Sequence, residues 1–264
     1  MLRKLIKYEF KATGRILLPL YGALIITAII NRLFIGFNSG SRALGKLHIQ
    51  LLMLLYVALI VGIGIMTFII IIQRFNNNLL KDEGYLMHTL PVTTGQNIWC
   101  KAISSIIWVI GSGLVAFISM LLLLVNKDVI SSIISNFDIV VEMFKKLNSE
   151  VGIHLYIIPF EIIVIMLLST LVFIFTLYAS ISIGHLFPRH RILGSFGGFI
   201  LINMLGNIAV SILGGWAKSI NIISIESPII VELSILIAIL IEIIGVIILF
   251  FICKYILDRK LNLE

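Results

Sequence analysis

Six long apolar runs, parted by short polar stretches, set the pattern of this chain. They predict membrane spans over residues 16–35, 49–72, 102–125, 156–183, 192–213 and 229–253, each long enough to cross a hydrocarbon core of ~30 Å. The fold class that follows is an all-α integral membrane protein, a single transmembrane domain over residues 1–264. Two amphipathic stretches lie outside the spans. In residues 1–15, Arg3, Lys4, Lys7, Lys11 and Arg15 alternate with Leu2, Leu5, Ile6 and Phe10, which predicts an interfacial helix on an anionic leaflet. A signal peptide opens in the same way, but five further spans make retention of the first the simpler reading. In residues 126–153, Ile130, Ile133, Ile134, Phe137, Val141 and Phe144 recur at helical spacing among Asp128, Ser131, Asp138 and Lys145. That stretch is too charged to span and predicts an external amphipathic helix.

Residues 74–101 are the polar interruption around which the rest is organised. Asn76, Asn77 and Asn78 are expected to break the preceding helix. Leu79, Leu80, Leu86 and Leu90 then recur among Lys81, Asp82 and Glu83, and Pro91 stops the segment, the pattern of a short helix on a membrane surface.

Composition excludes an ordinary soluble domain: 60% of residues are apolar, 12% are charged, and the mean hydropathy is +1.14. The net charge of +7 does not point to nucleic acid, because the basic residues sit beside apolar runs rather than among aromatics. Thirteen of the 20 Lys and Arg fall in residues 1–15, 74–101, 184–191 and the tail. By the positive-inside rule both termini and the 74–101 loop are then cytoplasmic, in a multi-pass protein of the plasma membrane. Cys100 and Cys253 are too far apart in sequence to imply a disulfide framework or a metal site.

Few residues in the spans carry candidate chemistry. Glu242 falls near the middle of the sixth span, where a carboxylate is costly unless paired or wetted, so it is the first candidate for a translocation pathway. Asn203, Asn207 and Ser211 follow one another at four-residue spacing, and the two Asn are candidate partners for Glu242. Glu161 and Glu232 are weaker candidates, placed near enough to the outer interface to be hydrated. Gly194 and Gly198, and separately Gly111-Ser112-Gly113, offer small residues for close helix approach. His185 and His190 lie in a basic turn, residues 184–191, and face headgroups and water; no third metal ligand accompanies them. Gly40-Ser-Arg-Ala-Leu-Gly45-Lys46-Leu47 nearly matches a phosphate-binding loop, but Leu47 has no hydroxyl for a magnesium ion and no strand precedes it. No H-E-x-x-H motif is present, which leaves intramembrane metalloprotease chemistry without support. An ion-coupled secondary transporter or channel built on Glu242 is the alternative transport class, but the two three-span halves show no internal repeat.

Glu83-Gly84, Thr89-Leu90-Pro91-Val92 and Lys101, with the six-span layout and the opening LRKLIKYEFKATGRILLPLYG, resemble the permease subunits of ABC-2-type transporters. The resemblance implies that Leu79, Leu80, Asp82, Glu83, Gly84, Tyr85, Leu86, Leu90 and Pro91 form a coupling helix for a separate P-loop ATPase. It implies two copies of each subunit, with the second permease copy most simply a homodimer partner. No cofactor is expected in this chain; ATP and Mg2+ belong to the ATPase. Closure of the ATPase pair would push on the coupling helix, tilt the spans and open the pathway between the permeases. Family members export drugs, antibiotics, polysaccharides, lipids or peptides. The apolar spans and the external amphipathic helix favour an amphipathic peptide of toxin, antimicrobial or phenol-soluble-modulin type.

Overall fold

The computed structural model describes residues 2–37, 43–80, 92–125, 127–219 and 228–259. Among these every regular element is a helix: α1 (Leu2–Phe37), α2 (Ala43–Leu80), α3 (Thr94–Leu124), α4 (Lys127–Ser135), α5 (Phe137–Val151), α6 (His154–Gly184), α7 (Arg191–Ser219) and α8 (Pro228–Arg259). Six of them, α1–α3 and α6–α8, are long and apolar enough to cross a membrane, the layout of a multi-pass membrane protein. Their surfaces support that reading. Leu54, Leu201, Leu205 and Ile192 are 60% exposed or more, an apolar exterior that suits lipid and not water.

Several boundaries differ from those the sequence predicts. Residues 2–15 are not a separate element but the first turns of α1, which runs unbroken through Pro19 for 36 residues. At 1.5 Å per residue α1 is about 54 Å long and exceeds the hydrocarbon core. Asn76, Asn77 and Asn78 do not break α2. The helix continues to Leu80 because His185 Nε2 donates to Asn76 Oδ1 at 2.8 Å and Asn78 is buried, so tertiary contacts override weak helix propensity. α3 begins at Thr94, well before the predicted span at residue 102. There Gln96 N–H donates to Thr93 Oγ1 (3.3 Å) and Thr93 N–H to Gln96 Oε1 (3.2 Å), a capping box that satisfies both donors. The 126–153 stretch is two helices, α4 and α5, with a turn at Asn136, and no residue of α5 is buried. The apolar side of α5, with Phe137, Val140 and Met143 exposed, suits a membrane surface better than a lid on the spans. Of the near-match to a phosphate loop, Gly45, Lys46 and Leu47 lie inside α2, where no loop can wrap an anion.

The chain divides into two compact units, residues 1–71 with 103–140, and residues 72–102 with 141–264. The divisions fall inside α2, α3 and α5, so these helices belong partly to each unit.

In the first unit, Leu17, Tyr21, Leu24, Ala28, Tyr56, Ile63 and Ile70 form the core, with Trp108 packed against it. Polar links tie the three helices at several depths. Tyr21 Oη lies 2.7 Å from Ser112 Oγ, and Ser112 Oγ lies 2.8 Å from Thr67 Oγ1, which donates to Ile63 O at 2.8 Å. Nearer the far end, Tyr56 pairs with Ser119 at 2.9 Å, Asn31 Nδ2 donates to Leu52 O (3.1 Å), and Arg32 Nη1 to Leu123 O (3.4 Å). Ser112 is the one side chain of these links that bonds to both α1 and α2. Ser112→Ala removes two interhelical bonds and is expected to cost about 1–2 kcal/mol, read as a lowered melting temperature in detergent; Tyr21→Phe removes the bond to Ser112 and a longer one to Trp108 O (3.4 Å) and is expected to cost somewhat less.

In the second unit, α6 packs against both α7 and α8. Close approach to α7 is made by glycine. A Cβ on Gly194 would lie 3.1 Å from Gly184 Cα, and one on Gly198 3.3 Å from Ile183 Cγ2, as the small-residue spacing predicts. α6 and α8 run parallel, because their contacts advance together: His154 with Glu232, Ser169 with Glu242, Phe175 with Phe250, and Ser182 with Cys253.

Candidate functional site

Two regions of the second unit hold the residues singled out from the sequence. The first is the pair of helix ends flanking residues 81–91. Leu79 and Leu80 are the last residues of α2 and are buried, at 0% and 5% exposure, rather than lying on a separate surface helix. One turn earlier, the ring of Phe75 stacks on Tyr178 of α6, with centroids 4.0 Å apart and planes 8° from parallel. Asn76 is held by His185, also described above. Across the gap, Trp99 at the start of α3 packs edge-on against Phe175 of α6 (5.4 Å) and against Phe250 of α8 (5.8 Å). Gly95 lets Phe250 approach, since a Cβ there would lie 3.3 Å from its Cζ. Asp82, Glu83, Gly84, Tyr85, Leu86, Leu90 and Pro91 lie outside the described residues. Both helices that deliver the chain to them are fixed by aromatic packing and not by the lipid.

The second region is the seam between α6 and α8. At the N-terminal ends of the two helices His154 Nδ1 and Glu232 Oε2 are 2.5 Å apart, both partly exposed. Deeper in, Glu242 accepts a hydrogen bond from Ser169 Oγ at 2.8 Å. The partner of Glu242 is therefore Ser169, and not Asn203 or Asn207. Asn203 instead donates from Nδ2 to Phe199 O of its own helix (2.8 Å), which satisfies the amide without a neighbour. With Asn207 and Ser211 it lines an open groove of about 650 Å3 along α7. Glu161 departs furthest from expectation. It is 6% exposed rather than hydrated, and its Oε2 has no hydrogen-bond partner. It lies one heptad after His154, so it shares the face of α6 that carries the His154–Glu232 pair. A buried, unsatisfied carboxyl oxygen costs free energy on the order of 1–3 kcal/mol, a cost that packing elsewhere in α6 must offset.

Neither region forms a metal centre: among the described residues no three His, Cys, Asp or Glu side chains converge on one point. Cys100 and Cys253 are buried thiols outside any disulfide, Cys253 with Ser182 Oγ at 3.6 Å. The early start of α3 was open to reading from Thr93-x-x-Gln96, a sequence signal for a helix N-terminus. The pairing of His154 with Glu232 had no such signal, because it joins residues 78 positions apart. Set beside known proteins, the chain matches no family model, no curated protein and no solved structure.

Proposed function

We propose that this chain is the membrane-spanning subunit of an ATP-driven exporter, powered by a separate P-loop ATPase that docks on residues 81–91. The observation that carries the reading is the anchoring on either side of that segment. Phe75 and Asn76 tie the end of α2 to α6, and Trp99 ties the start of α3 to α6 and α8. A push on residues 81–91 is not absorbed by fraying helix ends; it is delivered to α6 and α8, the helices that carry Glu161, Glu232 and Glu242. The same helices α2 and α3 continue out of this unit into the first. The excess of Lys and Arg supports a cytoplasmic position for the segment and both termini, where an ATPase can reach it. The assembly is two permease copies with two ATPases in the plasma membrane, and the cargo is an amphipathic peptide that the apolar helix surfaces and the exposed face of α5 can accept.

The test is a pull-down of the tagged chain from its own membranes, with ATPase assay of the eluate. The wild type is expected to bring down a P-loop ATPase, and Leu86→Asp to lose it while the permease itself stays folded. If neither form brings down ATPase activity, the reading fails. Ion-coupled transport along the α6–α8 seam, resting on Glu161 and Glu242, then takes its place.

A further inference from the structure

The turn between α6 and α7 borders an open cavity apart from the α6–α8 carboxylate seam. It has about 510 Å3 of space and is lined by Asn76, His185, Pro188, Arg189, His190, Arg191, Ile192 and Leu193. The backbone of the turn is closed by its own hydrogen bonds, Phe187 N–H to Gly184 O (3.1 Å) and His190 N–H to Phe187 O (3.1 Å). Of its side chains, His185 is held by Asn76. Arg189 and Arg191 are exposed, and among the described residues no carboxylate lines the cavity and neither guanidinium is held by a hydrogen bond or ion pair.

We infer that this cavity is a binding site for the phosphate of an anionic phospholipid. Two arginines beside an unopposed pocket fit a phosphodiester, which a guanidinium grips with paired, charge-assisted hydrogen bonds. Depth and neighbouring surface assign the source of the phosphate. Residues 185–190 join two helices that can each span the bilayer, so the turn lies at the headgroup level. Immediately beyond the cations, Ile192, Leu193 and Phe196 are 86%, 68% and 64% exposed, an apolar strip on which acyl chains can lie. A soluble anion has no use for that strip; a lipid uses both parts. The bound headgroup also touches Asn76, so it braces the inner end of α2 through the same side chain that His185 holds.

The test uses the purified full-length chain in mixed micelles containing equal amounts of dioleoylphosphatidylglycerol and dioleoylphosphatidylcholine, with retained lipid counted by native mass spectrometry. The wild type is expected to keep phosphatidylglycerol over phosphatidylcholine by about an order of magnitude, the combined effect of two cations near the surface. Arg189→Gln with Arg191→Gln brings the ratio close to parity, and Arg189→Lys with Arg191→Lys keeps most of the preference. Inorganic phosphate does not displace the lipid. Equal retention of the two lipids by the wild type overturns the proposal, as does a preference untouched by the double Gln variant, which would move it to the basic face of α1. Displacement by inorganic phosphate overturns the lipid assignment and leaves a free-anion site. Should the Gln variant fail to fold, as its melting curve in phosphatidylcholine would show, the wild-type ratio, the Lys variant and the phosphate competition decide.

Discussion

Gly184→Ala is expected to destabilise the protein by about 3 kcal/mol, among the largest effects of any single methyl group in the chain. A Cβ at Gly184 would meet the hydroxyl of Ser195 and would lie 2.5 Å from Arg191 O and 2.6 Å from Ser195 N. The last two are backbone atoms in the first turns of α7, so relief requires moving that helix away from α6. The hydroxyl is no freer, because Ser195 Oγ donates to Arg191 O at 2.9 Å. Thermal melting of the purified protein in a mild detergent measures the loss. Gly197→Ala is the control: a Cβ there meets nothing within 4 Å, and the change is expected to be neutral or slightly stabilising. Equal melting temperatures for Gly184→Ala and wild type would show that the two helices do not approach as described.

Phe75→Ala comes next, at about 3 kcal/mol. Its ring is fully buried against Tyr178, itself 1% exposed, so truncation opens a cavity that its helical neighbours cannot easily fill. The reference state is lipid or detergent rather than water, so the cost arises mainly from lost packing contacts and not from transfer to water. Phe75→Leu keeps most of the volume and is expected to lose less than half as much. On the proposed function Phe75→Ala has a second consequence. The ATPase still binds residues 81–91, but its activity no longer responds to cargo, because the end of α2 is no longer tied to α6. An ATPase response equal to wild type in a folded Phe75→Ala protein would remove α2 from the coupling route.

The spans were legible because lipid imposes one rule on every residue that faces it. A backbone in hydrocarbon must satisfy its own hydrogen bonds, so apolar runs of this length become helices whatever their neighbours do. Where contacts between helices compete with local preference, the sequence was less informative. Three consecutive asparagines read as a break and are helix, because His185 arrives from more than a hundred residues away. Glu161 reads as hydrated from its place near a helix start and is buried, because its face of α6 turns inward. Asn203 reads as needing a neighbour and is satisfied by the carbonyl four residues back.

By itself, then, the sequence determined the lipid solvent of this protein and its six helices long and apolar enough to span it, since both depend on residue type summed over a run. The tertiary structure alone decided that α2 runs on through Asn76–Asn78, which side chain Glu242 meets, that Glu161 Oε2 is buried without a hydrogen-bond partner, and that two arginines flank an open pocket. Each of these depends on which faces of distant helices come together, and hydropathy summed along a single run carries no record of that.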